Sequence, residues 1–250
     1  QVSVFFFCSN TKDDVMSAKQ ISRSQKKIAD LHFCRRLPEN ELIAQAKGDI
    51  FLFMHPKIRP LSPNWLDQLT AQAARSHVGV VSGLWLDQAG TVLHNGVYLG
   101  VEGLWRFSHY GFSSDNPGFF GRLLDMTNYL AVGQECFAVH RKKFWQAGGF
   151  TENLDSSKGI DLCLKLFRQG KYNLVAPWIR FRLLPGGIIE YLRHEAEEGF
   201  AARWQDLIED DPFYHPALSK ERLFEEALLK DDSFQPRLSW SGTSCSKLSL

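Results

Sequence analysis

The apolar positions of this chain fall in short dense runs separated by stretches of helical spacing. Val2 to Cys8 (VSVFFFC), Asp49 to Met54 (DIFLFM) and Val78 to Leu86 (VGVVSGLWL) are apolar at odd and even positions alike. That is the pattern of strands covered on both faces. Leu31 to Cys34 is a shorter run of the same kind. A polar, Lys-rich helix is predicted over roughly Asp13 to Ala29. A second runs from Asn40 to Ala46, opened by Pro38 and Glu39 and ended by Gly48. A third runs from Asn64 to Arg75, with Ser62 as its cap and Pro63 at its start. This alternation predicts an α/β domain with a mostly parallel sheet flanked by helices.

Residues 87–127 break the pattern. They are rich in glycine and aromatic residues and poor in helix signals. Thr91 to Leu99 alternates enough to be an excursion strand, and Val101 to Phe120 reads as a long functional loop or lid. Regular patterning returns with a strand over Asn128 to Val139 and helices over Arg141 to Ala147 and Ile160 to Gln169. A late strand follows at Tyr172 to Ala176. The organisation expected is a domain over residues 1–186, a C-terminal helical extension over 187–238, and a disordered Ser-rich tail over 239–250. Within the extension, helices are expected over Gly187 to Glu209 and Lys220 to Lys230. The start at Gln1, directly on a strand, suggests a segment of a longer protein.

Composition narrows the function classes. In 250 residues, 44% are hydrophobic and 13% aromatic, enough for a sizeable core. Lys and Arg total 29 against 28 acids, which argues against a nucleic-acid binder. The five cysteines lack CxxC spacing, so no zinc ribbon or disulfide framework is indicated. The longest apolar run is too short for a transmembrane segment.

Seven elements then occur in a telling order: Ala46-Lys47-Gly48-Asp49 before a strand, Ser62-Pro63-Asn64-Trp65-Leu66, Val78-Gly79-Val80-Val81, Leu93-His94-Asn95-Gly96-Val97, Gly148-Gly149-Phe150-Thr151-Glu152, Asp161-Leu162-Cys163-Leu164-Lys165-Leu166, and Asp211-Pro212-Phe213-Tyr214-His215-Pro216. Together they resemble the family 2 inverting glycosyltransferases, in the branch that builds bacterial surface polysaccharides and includes rhamnosyltransferases. The resemblance runs from about residue 40 to 220. It implies a GT-A fold, with a nucleotide-sugar donor at the carboxyl ends of the parallel strands. It also implies a glycan acceptor, and neighbouring glycosyltransferase domains or other polysaccharide-assembly proteins as partners. A cytoplasmic place follows, peripheral at the inner membrane face.

The family's working parts depart here. Its acidic metal pair falls on His55 and Lys57, so no divalent metal cofactor is expected, because a hard cation needs oxygen ligands. Its catalytic base falls on Gly159, which has no side chain. Asp161 matches the second carboxylate of that motif, and Asp155 is the nearby substitute, so these two are the catalytic candidates. The region matching the family's pair of histidines after the late strand, Arg180-Phe181-Arg182-Leu183-Leu184, has no histidine. The N-terminal nucleotide-binding half looks shortened by about one βα unit. His55, Lys57, Arg59, Arg180 and Arg182 are therefore the candidate substrate-binding residues, with Trp105 as a ring that could stack on a sugar. Two readings stay open. One is a domain that has lost catalysis and serves as a scaffold or interaction module. The other is a metal-independent transferase in which Lys and Arg neutralise the leaving diphosphate. His94 and His109 are expected to be loop residues.

Overall fold

The structure is a computed structural model in which residues 1–7, 27–154, 157–185 and 199–223 are described. In chain order the elements are β1 (Val2–Phe7), β2 (Ile28–Cys34), α1 (Asn40–Ala44), β3 (Ile50–Met54), β4 (Ile58–Pro60), α2 (Trp65–Ala74), β5 (Val78–Leu86), β6 (Val92–His94), β7 (Val97–Leu99), β8 (Trp105–Phe107), β9 (Thr127–Tyr129), β10 (Cys136–His140), α3 (Arg141–Gln146), α4 (Lys158–Arg168), β11 (Tyr172–Leu183), α5 (Phe200–Arg203) and α6 (Gln205–Glu209). Among the described residues the main sheet has nine strands. Its path is β2-β1-β3-β10-β5-β11-β4, with β6 on β5 and β9 on β11, while β7 and β8 form a separate ribbon. β1 is parallel to β2 and β3, and β11 is parallel to β5. β10 enters antiparallel between β3 and β5.

The dense apolar runs form central strands because both of their faces are covered. On β1, Val2, Val4 and Phe6 join the core that includes Trp65, Leu66 and Leu69 of α2. Phe5 and Phe7 join the opposite core, with Phe144 of α3 and Leu162, Leu164 and Leu166 of α4. That alternation is the period-2 geometry of a strand. The rings of Phe5 and Phe53 stack at 5.0 Å, and those of Phe53 and Phe137 at 4.9 Å, carrying one aromatic row across three strands. Gly48 acts differently from its expected role as a helix stop, since α1 already ends at Ala44. Its amide donates to Ser3 Oγ at 2.7 Å, and a Cβ there would lie 2.4 Å from the Ser3 nitrogen. Close backbone approach is what requires the glycine.

Several boundaries move for identifiable reasons. Ser62 does not cap α2; its hydroxyl donates to the Trp178 carbonyl at 3.2 Å, and Asn64 takes the cap position. Residues 58–60, expected in a turn, form edge strand β4 against β11. β11 continues through Pro177 to Leu183 with a register shift between Ala176 and Arg180, which absorbs the missing N–H. The excursion strand breaks at Asn95-Gly96 into β6 and β7. The expected strand over 128–139 splits into β9 and β10. The expected lid is packed: Val101, Ser108 and His109 are fully buried, and Trp105 and Phe107 nearly so. Ala29, placed at the end of a helix by sequence, lies in β2. The body of that helix, most of Gly187 to Glu209, most of Lys220 to Lys230 and the tail lie outside the described residues. Among the described residues no helix is long and apolar enough to cross a membrane.

Asn173 ties the β5–β11 seam together. Its Oδ1 accepts from the Val80 amide at 3.1 Å, while its Nδ2 donates to the carbonyls of Leu130 at 2.7 Å and Cys163 at 2.9 Å. All of these groups are buried, so removing the side chain strands the Val80 amide and takes a partner from two carbonyls, of which that of Cys163 lies inside α4. At about 1–3 kcal/mol per buried unpaired group, Asn173→Ala is expected to lower unfolding free energy by about 1–3 kcal/mol or more in urea denaturation.

Candidate functional site

The carboxyl ends of β3 and β5 and the start of β10 meet around one narrow cavity. His55 follows β3, Glu135 precedes β10, and Trp85 lies near the end of β5. With Ile58, Leu93, Phe107 and Leu183 they line a space of about 380 Å³ counted out to its mouth, of which about 20 Å³ admits the centre of a water. The His55 amide donates to the Glu135 carbonyl at 2.6 Å, which clips the two chain segments together. His55 Nδ1 accepts the Lys57 amide at 3.1 Å, so this ring nitrogen serves the turn.

Glu135 is the residue that sequence reasoning missed. It is 7% exposed, and among the described residues its two buried carboxyl oxygens have no hydrogen-bond partner. Burial pushes its pKa up from 4.5 to about 8, so the carboxyl is protonated at neutral pH. The Trp85 indole Nε1 is likewise buried without a partner. Trp85 lies against His94, with ring centroids 4.3 Å apart. His94 Nε2 accepts amides from Gly133 at 2.6 Å and Gly96 at 3.2 Å, which places the ring proton on Nδ1. Burial pushes the His94 pKa down to about 3, so it is a neutral structural acceptor rather than a loop residue. His109 is also buried and neutral; its Nε2 accepts the Phe119 amide at 2.9 Å.

The basic candidates sit elsewhere on the same sheet edge. Arg59 on β4 and Arg182 on β11 are direct cross-strand partners, and Arg180 lies two residues earlier on the same face. The alternate positions Ile58, Phe181 and Leu183 turn to the other face, where Phe181 packs edge-to-face on Trp65 at 5.7 Å. The three arginines therefore share the face opposite the wall that Ile58 and Leu183 give the cavity. Arg59 Nη1 donates to the Pro56 carbonyl at 2.7 Å, and Arg182 Nε is buried without a partner. Among the described residues none of the three forms an ion pair. Lys57 extends this ribbon, its carbonyl accepting the Leu184 amide at 2.8 Å.

The remaining candidates are placed apart. Asp161 is fully buried. Its Oδ2 accepts from Thr151 Oγ1 at 2.6 Å and meets Lys165 Nζ at 3.2 Å; its Oδ1 accepts from Trp204 Nε1 at 3.0 Å and Arg203 Nη1 at 3.2 Å. A carboxylate with four donors around it anchors α4 to the turn before it and to α5. Trp105 is 2% exposed and packs edge-to-face on Phe200 at 5.3 Å, so its ring is committed to the core. Asp155 lies outside the described residues. At Gly159 the amide donates to Gln134 Oε1 at 3.0 Å, and a Cβ would lie 2.4 Å from Gln134 Cβ. A side chain at position 159 is therefore excluded unless Gln134 moves.

Comparison with solved structures places this architecture. A GalNAc-T7 structure with UDP, GalNAc and Mn²⁺ matches 73% of this chain and 43% of its own, with a TM-score of 0.52 at 13% identity. A mannosyltransferase from Pyrobaculum calidifontis, in complex with GDP-Man and Mn²⁺, matches 74% of this chain and 57% of its own, also at 0.52 and 13%. The fold is GT-A. Two curated proteins share sequence with this GT-A chain. One is the uncharacterized protein y4gI of Sinorhizobium fredii, 27% identical over 226 residues, or 81% of this chain. The other is the O-antigen biosynthesis protein RfbC of Myxococcus xanthus, 34% identical over 132 residues, or 50% of this chain. The chain spans 24% of the first and 10% of the second. No family model matches it.

Both structural neighbours hold Mn²⁺. Among the described residues the donor set at the turn after β3 does not fit one. Among the described residues no three His, Cys, Asp or Glu side chains converge as ligands. At the turn after β3, Lys57 supplies donors only, His55 Nδ1 is taken by an amide, and Glu135 is the single carboxylate of the cavity.

Glu135 sets a stability signature. From about pH 4.5 to about pH 8 its folded form holds a proton that the unfolded chain has released. Stability therefore falls as pH rises across that window, by at most about 1.4 kcal/mol per unit from this group. Urea unfolding at pH 5.5 and 7.5 is expected to show this loss in the wild type and a smaller one in Glu135→Gln.

Proposed function

We propose that this chain is a glycosyltransferase-like domain of a bacterial cell-surface polysaccharide biosynthesis protein, impaired in catalysis and serving as a scaffold or interaction module. The surroundings of position 159 carry this reading. The motif resemblance to inverting family 2 enzymes puts the general base there, and Gln134 fills the space a side chain would need. Loss of a general base costs about 10²–10⁴ in rate. Asp161, the second carboxylate of the motif, is surrounded by four donors inside the fold. The similarity to RfbC supports the polysaccharide context. Neighbouring transferase domains of the same assembly, at the inner membrane face of the cytoplasm, are the partners this reading expects.

The arginines favour a second reading, a metal-independent transferase. Two like charges directly across a strand pair are unfavourable, by roughly 3 kcal/mol at about 5 Å and an effective dielectric near 20. An anion such as a nucleoside diphosphate would relieve that repulsion at Arg59, Arg180 and Arg182.

Calorimetric titration of the chain with UDP, GDP and dTDP, with and without EDTA, separates the two. The module reading expects no binding and no turnover of the corresponding nucleotide sugars; measurable turnover by the chain sinks it. The second reading expects binding that EDTA leaves unchanged and that Arg59→Ala with Arg182→Ala weakens by at least about tenfold, or about 1.4 kcal/mol.

A further inference from the structure

The β4–β11 edge presents one face on which charge and apolar surface are mixed. Ile179 and Phe181 of β11 are fully buried in the core that holds Trp65. Trp178, Arg180 and Arg182 take the alternate positions and so the opposite face. Arg59 is the cross-strand partner of Arg182, and the Leu61 amide donates to the Arg180 carbonyl at 2.9 Å, which brings Leu61 alongside. Trp178 is 43% exposed and Leu61 41%, large apolar side chains left in water beside the arginines. On the same face Arg180 pairs with Leu84 and Arg182 with Leu86. Those leucines pack with Leu123, whose loop carries the exposed side chains of Phe120 and Leu124.

The charge of this face is uncompensated. Among the described residues Arg59, Arg180 and Arg182 form no ion pair. Asp87, next to Leu86 in the chain, is held by its own turn, where its Oδ1 accepts the amides of Ala89 and Thr91, each at 2.8 Å. A small soluble anion would meet the guanidinium groups and leave Trp178 and Leu61 in water. An added peptide strand is disfavoured, because the Leu61 amide points into the ladder and Pro60 therefore leaves the free edge without a donor. An anionic bilayer meets both needs at once. Its headgroup phosphates suit guanidinium forks, and its interfacial zone suits a Trp ring. Arginine stems set beside leucines can lie along apolar surface while their heads reach the phosphates.

We propose that the β4–β11 face, through Arg59, Arg180, Arg182, Trp178 and Leu61, docks directly on an anionic lipid surface. The guanidinium groups contact headgroup phosphates, and the Trp178 ring enters the interfacial zone. This goes beyond the module reading, which expects proximity to the membrane through partner domains. It also competes with the second reading for the same arginines.

The test is co-sedimentation of the full chain with vesicles at neutral pH. The probes are vesicles of phosphatidylglycerol with phosphatidylethanolamine, vesicles of phosphatidylcholine alone, UDP and poly-glutamate. The chain is expected to sediment with the anionic vesicles, to ignore phosphatidylcholine, and to be released at about 0.5 M salt, which screens surface charge. Arg180→Gln with Arg182→Gln is expected to weaken partitioning by about twentyfold or more, at about fivefold per basic residue. Arg180→Lys with Arg182→Lys keeps the charge and should stay within about threefold of wild type. Bromine-labelled acyl chains in the anionic vesicles should quench tryptophan fluorescence in the wild type and less in Trp178→Ala, which a purely structural role would not produce. Circular dichroism melting confirms that each variant is folded. The proposal is overturned if the chain ignores anionic vesicles or binds phosphatidylcholine equally well. It is also overturned if the Arg→Gln pair partitions like wild type, or if Trp178→Ala is quenched as fully. Displacement by UDP at matched ionic strength would assign the arginines to a soluble diphosphate, and binding of poly-glutamate in place of vesicles would assign them to an acidic protein; either result overturns it. Turnover of a nucleotide sugar would sink the module reading and leave lipid docking standing.

Discussion

A single buried carboxylate organises the half of the molecule that a transferase would use for chemistry. Asp161 sits in the first turn of α4 and gathers Thr151, Lys165, Arg203 and Trp204 around its two oxygens. The turn after α3, the body of α4 and the start of the C-terminal segment are all held by it. A buried charge is tolerated only when paired and hydrogen-bonded, and here every acceptor position is used. These four contacts make Asp161 a structural anchor of this region.

The carboxyl end of the sheet is divided between two environments. One face of the β4–β11 edge carries three arginines that form no ion pair among the described residues. The other contributes Ile58 and Leu183 to a nearly closed cavity whose unpaired polar groups are Glu135 and Trp85. The arginines, grouped with His55 as one substrate site on sequence grounds, lie on the strand face opposite Ile58 and Leu183, whereas His55 sits in the turn after β3 and lines the cavity. The GT-A scaffold thus places the basic edge and the apolar cavity on separate surfaces.

The C-terminal motif has a physical role of its own. Asp211 is buried, accepts the Leu99 amide at 2.9 Å and the Phe213 amide at 2.8 Å, and is pushed by burial up to about 6. The Tyr214 ring lies 4.9 Å from that of Tyr98. The Asp-Pro-Phe-Tyr segment therefore closes the β7–β8 ribbon against the body of the domain. Arg122 joins the same packing through the Tyr98 hydroxyl at 2.5 Å.

Much of this was legible in the chain itself. Dense apolar runs named β1, β3 and β5 nearly to the residue, since a strand buried on both faces leaves a continuous signal. The order of motifs identified the GT-A architecture. What the sequence could not reveal was relative placement. Glu135 fell inside the strand expected over 128–139 and carried no signal of its own; only the tertiary packing buries both of its oxygens. Trp105 reads the same whether it lines a cleft or fills a core, and the contact with Phe200 decides it. Asp161 matched a catalytic motif, yet its donors come from positions up to 43 residues away. Local pattern specifies which elements form, because periodicity is a short-range property; which side chains meet, and which polar groups are left wanting a partner, is set by contacts distant in the chain, and those exist only once the sheet has closed.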